Sequence, residues 1–541
     1  MATPTKETTS ITDEKVFIHE EKAQHEDANS LKDVIEENLM WKDINEKSKK
    51  ATEMEHTLSL WDGLRAYPKA VGWSLVVSTA IIMEGYDTAL LGSFYAYPAF
   101  QEKYGQPVAS GGYAIPASWQ TALGMGTNIG VLIGVFFNGF LTERLGYKRM
   151  MLYSLAAISA CIFIPFFSPN APALLIGQIM CGIPWGVFST LAPAYASEVC
   201  PVVLRGYLTT YVNLCWVIGQ LIASGVLDGL QTRTDEWSYK IPFALQWMWP
   251  LPLFVAICFA PESPWWLVRR GRVNDATRAQ KRLSNDSTNI DEVIAMMIHT
   301  NEYEKTISEG TSYLDCFKGS NLRRTEICCM AWCIQNLSGS PIASYATYFF
   351  LQAGLASSNA FALNVSQYAL GFVGTILSWF LLGKFGRRTI YLSGLSVCCI
   401  LMFLIGFLGL APANNTSIPW ATSGLLLAFV FVYDLTIGPV CYALVSEISS
   451  TRLRGKSIGL ARNFYNILSI CFSASTPYML NPDALNWKGK VGLFWGSISF
   501  LCVVWTYFRL PEPKGRTYEE LDIMFENNVP ARQFKSYKIE K

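Results

Sequence analysis

Charged residues are scarce in this chain of 541 residues, where they make up 16% of the total against about 25% in soluble domains. The scarcity is uneven, because residues 1–66 and 511–541 are rich in charge and the region between them contains long stretches with almost none. All four histidines lie outside these stretches. The composition argues against a soluble fold, and a net charge of +1 offers nucleic acid no basic surface to bind.

Cysteine pairs with the spacing of a metal or redox site are missing, although the chain has fourteen cysteines. Most of them fall within apolar runs, so we interpret them as small packing residues and expect no metal and no cofactor. An enzyme or ATP-driven pump is not expected either. Residues Gly455-Lys456-Ser457 resemble the end of a phosphate-binding loop, but Ser450 stands where its first glycine should be.

Long apolar runs are abundant, since 51% of the residues are hydrophobic. A helix needs about 20 apolar residues to cross the hydrocarbon core of a membrane, and twelve runs are long enough. They cover residues 70–93, 119–141, 149–168, 171–193, 205–228, 241–260, 326–350, 359–383, 388–410, 420–446, 457–480 and 488–510. The sequence therefore predicts an all-α polytopic membrane protein with twelve transmembrane helices. No apolar signal sequence precedes them, so the first spanning helix must direct insertion.

Lysine and arginine indicate on which side of the membrane each connection lies. They are sparse in every second connection and cluster in the others, at 144–149, 261–325, 384–388 and 452–456. Basic connections stay on the cytoplasmic side, so both ends of the chain are predicted to be cytoplasmic. Glycosylation sequons at Asn414 and Asn415 then fall on the outer side.

The two halves of the chain repeat each other at an offset of 240 to 250 residues. Gly146, Ser197-Glu198 and Pro261-Glu262 recur as Gly386, Ser446-Glu447 and Pro511-Glu512. The repeat predicts two pseudo-symmetric six-helix halves, a plan in which transporters bind their cargo between the halves near the membrane midplane. The predicted units are a disordered cytoplasmic tail at 1–66, halves at 67–260 and 326–510, a cytoplasmic loop at 261–325 and a cytoplasmic tail at 511–541.

Seven motifs between about residues 60 and 530 resemble those of the sugar porter family of the major facilitator superfamily. They are Gly85-Tyr86-Asp87, Gly139 to Arg149, Pro193 to Gly206, Pro261 to Pro264, Gln335 to Gly339, Gly438-Pro439 and Pro511 to Thr517. The strings Met83 to Leu91, Pro242 to Trp247 and Ala260 to Arg269 are most similar to fungal α-glucoside (maltose-type) permeases, which are sugar:proton symporters.

This resemblance implies the major facilitator fold and proton-coupled import of an oligosaccharide such as maltose across the plasma membrane by alternating access. The implied partners are a sugar, protons and the lipid bilayer, and the chain is expected to function as a monomer. Two departures concern proton coupling. Gln178 stands where proton-coupled relatives often have an arginine, and Val131 stands where the α-glucoside permeases tend to have a polar or acidic residue.

Ionisable residues inside predicted spans are costly in the membrane and therefore indicate a function. Glu84 and Asp87 lie three residues apart on one face of the first helix, and we predict that this pair carries the coupling proton. The alternative is a structural role next to Gly85 at a helix break. By resemblance Asp434 contacts the sugar, since a carboxylate can accept two hydroxyl groups; the alternative is an ion pair with Arg462.

The resemblance also implies the sugar site. Its polar contacts are predicted to be Asn213, Gln220, Gln335, Asn336 and Asn466, and its aromatic contacts Tyr345 and Tyr442. Hydrogen bonding between helices is the alternative role of each amide, and packing is the alternative role of each aromatic ring.

Charged residues at the helix ends are predicted to pair and to close the cytoplasmic side in one state, or simply to anchor the topology. The candidates are Glu143, Arg144, Arg149, Glu198, Arg205, Arg387, Arg388, Glu447, Arg454 and Arg462. Two other functions stay open: a facilitator that equilibrates hexoses or another disaccharide without a proton, and a sugar sensor that does not transport.

Overall fold

The computed structural model describes residues 41–51, 54, 58–107, 112–285, 288–308, 313–411, 417–449, 454–481, 484–514, 516 and 518–537. Twelve spanning elements, α1 to α12, follow one another in this part of the chain. In the first half they are α1 (Pro68–Ser78 and Ala80–Phe94), α2 (Ala117–Leu145), α3 (Tyr147–Cys161 and Phe163–Phe166), α4 (Ala171–Val199), α5 (Val202–Leu230) and α6 (Trp237–Leu245 and Pro250–Phe259).

The second half contains α7 (Gly319–Leu337, Ser340–Ser344 and Ala346–Ala353), α8 (Ser357–Lys384), α9 (Arg387–Leu408), α10 (Ser417–Leu435 and Ile437–Ile448), α11 (Arg454–Leu480) and α12 (Val491–Arg509). The shorter helices are Leu60–Ala66, Pro98–Tyr104, Pro264–Arg269, Val273–Leu283, Ile290–Ser308 and Tyr518–Glu526. Short 3-10 turns cover Gln246–Met248, Tyr313–Phe317, Lys488–Lys490 and Ala531–Gln533. Two short strands, β1 (Gln106–Pro107) and β2 (Tyr113–Ala114), pair antiparallel.

Ten of the described spans are long and apolar enough to cross a membrane on composition alone, and α7 and α11 are not among them. Both of these helices are interrupted by polar residues, such as Asn336 in α7 and Arg462 and Asn466 in α11. These side chains face an internal cavity, so their low hydropathy does not expose them to lipid. Each of the twelve predicted apolar runs coincides with one spanning element.

Helix packing repeats between the two halves. Helix α2 packs on α4 as α8 packs on α10, α1 packs on α5 as α7 packs on α11, and α3 packs on α6 as α9 packs on α12. Between the halves, α5 packs on α8 and α2 packs on α11. The symmetry relates α5 to α11 and α8 to α2, so these two contacts are equivalent. The predicted pair of pseudo-symmetric six-helix halves is confirmed.

The segments outside the membrane attach to different halves. Leu283 and Val293, from the helices between α6 and α7, belong to one buried cluster with Leu204 of the first half. The helix Tyr518–Glu526, which follows α12, packs on α7 of the second half, and the guanidinium of Arg323 at the start of α7 lies 5.3 Å from the Phe525 ring. Each half thus has its own cap on the membrane face where α1 begins and α12 ends, here called the terminal face; the opposite one is the distal face.

The N-terminal tail differs from its prediction. Residues 41–51 form a helix, as does Leu60–Ala66, which corrects the prediction of disorder for these parts. The second helix begins where the Ser59 hydroxyl accepts a hydrogen bond from the Asp62 amide, and Leu60 packs against the first half. Residues 1–40 lie outside the described residues, and so do the sequons at 414 and 415.

The repeated Pro-Glu pair caps two helices at the terminal face. Glu262 accepts hydrogen bonds from the amides of Tyr147 (2.9 Å) and Lys148 (3.3 Å) at the start of α3. Glu512 accepts one from the Arg387 amide (2.8 Å) at the start of α9. A carboxylate is stabilised there because unpaired amides and the helix dipole converge on it. Burial nonetheless raises the pKa of Glu262 above its ordinary value.

Glycine makes room for both carboxylates. A Cβ on Gly146 would lie 2.6 Å from the Glu262 Oε2 atom, and one on Gly386 would lie 2.0 Å from the Glu512 Oε2 atom. Gly146 also has a φ of 90°, which disfavours other residues. The glycine that precedes α3 or α9 and the glutamate that follows α6 or α12 therefore form one unit, present once in each half.

We expect Glu512→Gln to lower the thermal stability of the detergent-purified protein. The variant keeps the shape of the side chain and loses the charge that stabilises the start of α9. We expect the free energy of unfolding to fall by about 1 kcal/mol. The measurement is the midpoint of thermal unfolding. Glu526→Gln is the matched control, because it neutralises an exposed carboxylate in the same tail. Equal midpoints for both variants would contradict the capping role.

Candidate functional site

A cavity of about 250 Å³ lies between the two halves. Its wall in the first half comes from α1, α2, α4 and α5, and its wall in the second half from α7, α8, α10 and α11. These are here called the N-terminal wall and the C-terminal wall. Both walls mix aromatic rings with a few amides and charged groups, which is the composition of a site for a small polar ligand.

The acidic pair of α1 stands on the N-terminal wall. Glu84 and Asp87 are buried and line the cavity. The amide of Gln246, in the 3-10 turn between the two segments of α6, donates a hydrogen bond of 2.7 Å to Asp87 Oδ1. Glu84 Oε2 and Asp87 Oδ2 are buried without a hydrogen-bond partner in the described part of the chain. Buried carboxylate oxygens left in this state are candidates for binding a proton or a ligand donor.

The alternative role for this pair, at a helix break, does not fit the structure. Helix α1 breaks at Thr79, and the segment Ala80–Phe94 continues without interruption through Gly85. Gly85 instead lets α5 approach, because a Cβ there would lie 2.1 Å from the carbonyl oxygen of Trp216. The two acids therefore cap no helix end.

Gln178 does not take over the role of the arginine found in relatives. Its side-chain oxygen accepts a hydrogen bond of 3.2 Å from Thr127 of α2. Its amide nitrogen is buried without a partner in the part of the chain that the structure describes. Asp87 is thus held by an amide, Gln246, and not by a cation.

Arg462 is held by aromatic rings on the C-terminal wall. Its guanidinium lies 4.7 Å from the centre of the Trp332 ring and 4.8 Å from that of Tyr465, an arrangement that stabilises a buried cation. Its charge and that of Glu84 attract each other from opposite walls. Among the described residues no ion pair joins it to Asp434, so the alternative of an Arg462–Asp434 pair is not observed.

Asp434 lies where three helices meet. It lies two residues before the break of α10 at Thr436, where the backbone leaves helical geometry. A Cβ on Gly371 of α8 would lie 2.4 Å from Asp434 Oδ2 and 3.5 Å from Val217 of α5. The carboxylate is buried and lines the cavity, so its oxygens are placed to accept hydrogen bonds from a ligand.

The structure brings all the predicted sugar contacts to this cavity: Asn213, Gln220, Gln335, Asn336, Tyr345, Asp434, Tyr442 and Asn466. Two amides also bond between helices, since Gln335 donates to the Gly438 carbonyl (3.2 Å) and Asn336 to the Ser469 hydroxyl (2.8 Å). The amide nitrogens of Asn213 and Asn466 have no partner in the described part of the chain. These two nitrogens are therefore candidates to donate hydrogen bonds to a ligand.

Both predicted aromatic contacts take part in ring packing. Tyr345 stacks on Tyr95 of the other half at 5.9 Å between ring centres, and Tyr442 meets Trp332 edge to face at 4.8 Å. The sequence reading missed other residues that line the cavity: Asn128, Trp185, Trp216, Gln367, Tyr433 and Tyr465. For Trp216 a signal existed, because it lies three residues after Asn213 and therefore on the same face of α5.

The two halves join at the distal face. Ser93 of α1 shares a hydrogen bond with Thr347 of α7 (3.3 Å), and Asn128 of α2 donates to Ser473 of α11 (2.8 Å). Close to the first bond, a Cβ on Gly92 would lie 2.1 Å from the carbonyl oxygen of Ser344. Helices α1 and α7 thus meet backbone to backbone beyond the cavity and close it on this side.

The charged helix ends pair within each half at the terminal face. Glu198 is bonded to Arg269 and to the Tyr147 hydroxyl in the first half, and Glu447 pairs with Arg387 at 2.9 Å in the second. The structure does not place these pairs across the two halves.

The other charged candidates at this face whose side chains the structure describes contact residues near them and do not join the two halves. The Glu143 carbonyl accepts a bond from the Trp266 indole, and Arg388 donates to the Tyr507 carbonyl at 2.7 Å. Arg144 lies over the ring of Phe140, and Arg149 is exposed. The side chains of Arg205 and Arg454 lie outside the described residues.

The sequence matches a family model described as sugar (and other) transporter over residues 73–525. The chain belongs to this sugar transporter family. It is 42% identical over 511 residues to the general alpha-glucoside permease of Saccharomyces cerevisiae, with 93% of this chain and 82% of the relative covered. A maltose permease of the same yeast is 42% identical over 502 residues, with 91% and 81% covered.

Solved structures of sugar transporters share the fold. The major facilitator superfamily proton:xylose symporter XylE bound to 6-bromo-6-deoxy-D-glucose aligns with a TM-score of 0.69 at 22% identity, over 85% of this chain and 99% of that one. The inward open form of the xylose transporter XylE from E. coli aligns with a TM-score of 0.66 at 20% identity, over 84% and 99%. This sugar transporter therefore has the major facilitator fold.

We expect Gly92→Leu to abolish sugar exchange by this transporter, because a side chain at this position collides with the Ser344 carbonyl and keeps the distal face from closing. Exchange of labelled sugar across proteoliposomes should fall more than tenfold. Gly229→Leu is the control, since Gly229 lies near the end of α5 with open space around its Cβ position. Normal exchange by the Gly92 variant would show that distal closure tolerates a bulkier contact.

Proposed function

We propose that this transporter imports α-glucosides such as maltose together with protons at the plasma membrane, by alternating access. The observation that carries the proposal is the pair of buried carboxyl groups, Glu84 and Asp87, on the wall of a cavity that lies between the two halves. The relatives named as alpha-glucoside and maltose permeases support the substrate class.

Glu84 and Asp87 carry the coupling proton in this proposal. Protonating Glu84 cancels its attraction to Arg462 on the opposite wall. The protonation state of Glu84 therefore changes the electrostatic attraction between the two halves. A proton entering down a membrane potential of 100 mV supplies about 2.3 kcal/mol, and each unit of pH difference adds about 1.36 kcal/mol. Together these are sufficient to accumulate a sugar many-fold.

The sugar lies between the walls in the same proposal. Asn213 and Asn466 offer it unpaired amide donors from opposite sides, and Asp434 accepts hydrogen bonds from its hydroxyl groups. The remaining contacts are the amides Gln220, Gln335 and Asn336 and the rings of Tyr345 and Tyr442.

The orientation follows from the basic residues. We propose that the terminal face is cytoplasmic, with both chain ends there, because Arg144, Arg149, Arg387 and Arg388 gather on it. The closed distal face is then extracellular. The charged pairs at the terminal face brace each half as it moves. One chain contains both walls of the cavity, so a monomer suffices, and the protein acts as a permease and not as an enzyme.

A facilitator is the second candidate. Gln178 makes a hydrogen bond to Thr127 and leaves Asp87 without the cation that proton-coupled relatives often supply, and Val131 lines the cavity as an apolar side chain. Such a protein would equilibrate a sugar without moving protons. A sensor that does not transport would move neither.

The decisive experiment records extracellular pH in weakly buffered yeast cells that lack their own permeases and express this protein. Addition of maltose should make the medium more alkaline, since each sugar carries protons inward, whereas glucose should have little effect. Trehalose, sucrose, cellobiose, lactose and raffinose extend the series. Uptake of labelled sugar without alkalinisation would identify the facilitator, and no uptake despite surface expression would favour the sensor.

We expect the double variant Glu84→Gln with Asp87→Asn to lose uphill accumulation of sugar and to keep exchange of labelled for unlabelled sugar. Removing both carboxyl groups removes the proton carrier, while exchange at equal sugar concentrations needs no proton. Asp228→Asn is the matched control, because Asp228 lies in α5 away from the cavity and bonds to Gln231. Full accumulation by the double variant would exclude this pair as the proton carrier.

A further inference from the structure

Two tryptophans on the N-terminal wall have no role in the function derived above. Trp185 of α4 and Trp216 of α5 both line the cavity. The Nε1 atom of each indole is buried without a hydrogen-bond partner in the part of the chain that the structure describes. Because both indoles stand on the cavity wall, a ligand in the cavity can accept hydrogen bonds from these N–H groups.

Both rings lie around the acidic stretch of α1. A Cβ on Gly85 would lie 2.8 Å from the Trp216 Cδ1 atom, so this indole packs directly on the α1 backbone between Glu84 and Asp87. Trp185 belongs to α4, and α4 packs on both α1 and α5. The two indoles therefore reach the same region of the wall from two different helices.

An amide completes this group. Asn213 lies one turn before Trp216 on α5, lines the cavity and has an unpartnered side-chain nitrogen. Two aromatic rings with unpaired N–H groups and one unpaired amide donor are suited to a pyranose ring, which presents a C–H face to aromatic rings and hydroxyl groups to donors.

The C-terminal wall has an equivalent set of its own. Asn466 offers an unpaired amide nitrogen there, beside Asn336 and the ring of Tyr442. A monosaccharide has a single ring and can occupy one such wall. A disaccharide has two, and placing one ring on each wall would satisfy the donors of both.

We propose that Trp185, Trp216 and Asn213 form a second subsite, in the first half of the protein, that binds the second pyranose ring of a disaccharide. The inference rests on the proposed function and specifies how a two-ring sugar is distinguished from a one-ring sugar. Sites that hydrogen-bond a ligand hydroxyl group discriminate against ligands that lack it, because their polar groups are then left unpaired.

The test compares maltose with methyl α-glucoside, its one-ring counterpart, in proteoliposomes under exchange conditions that need no proton gradient. We expect Trp216→Phe and Trp185→Phe, which keep a ring and lose the N–H, to raise the KM for maltose about tenfold, the effect of one unmade hydrogen bond. The inhibition constant of methyl α-glucoside should stay unchanged. Trp379→Phe is the control, because Trp379 has an unpaired buried indole nitrogen but does not line the cavity.

The outcomes separate the subsite from the transport function. The second subsite would be overturned if the two tryptophan variants bound both sugars equally more weakly, or bound both as tightly as the wild type does. Wild-type protein that exchanges methyl α-glucoside but not maltose would overturn it too, while leaving sugar transport intact. Wild-type protein that exchanges neither sugar would refute the proposed substrate class and the subsite together. Trp216→Leu, which also removes the ring, should raise the KM for maltose further than Trp216→Phe does.

Discussion

The cost of placing a polar side chain in the hydrocarbon region determines how these helices are arranged. A charge in a spanning helix is unfavourable by about 2.5–3.5 kcal/mol unless it finds a partner or water. The two helices with the lowest apolar content, α7 and α11, accordingly turn Asn336, Arg462 and Asn466 toward the cavity. Arg462 meets the constraint with aromatic rings, since Trp332 and Tyr465 face its guanidinium. The cavity is therefore the place where the bundle can hold its polar groups.

Close contact between backbones then makes each half a stiff unit. Gly85 admits α5 against α1, and on the neighbouring turn a Cβ on Gly219 would lie 2.1 Å from the Ile82 carbonyl. In the same half a Cβ on Gly134 of α2 would lie 2.0 Å from the Ile183 carbonyl of α4. Contacts of this kind have little freedom to slide. The halves share fewer contacts with each other, chiefly α5 on α8, α2 on α11 and Gly92 against the Ser344 carbonyl, so motion is easiest between them.

Hydropathy and the internal repeat predicted the fold well, because both depend on local composition. The number of helices, the two halves and the glutamate pair of Glu262 and Glu512 all follow from patterns visible along the chain. The breaks of α7 at Gly339, which has a φ of 107°, and at Tyr345 were not predicted. Inside a long apolar run nothing in the composition marks where neighbouring helices compensate for an interrupted backbone.

The cavity was predicted only in part for a similar reason. Amides and acids in apolar helices are conspicuous, so all eight predicted sugar contacts line the cavity. The tryptophans were overlooked, since an indole in a spanning helix is ordinary packing until its N–H is found unpaired. The ion pair of Asp434 with Arg462 was a reasonable alternative on charge alone. It fails because Asp434 is directed toward α8 at Gly371, while Arg462 lies among aromatic rings.

Symmetry holds at the terminal face and is lost in the cavity. Glu262 and Glu512 cap equivalent helices in the same way, as expected for parts that serve only the architecture. The cavity walls differ: the first half supplies the acids Glu84 and Asp87, and the second supplies the acid Asp434 and the cation Arg462. Because Glu84 and Arg462 stand on opposite walls, a change of charge on either one alters the attraction between the halves. In the proposed function, the duplicated scaffold responds to protonation through residues in which its two halves differ.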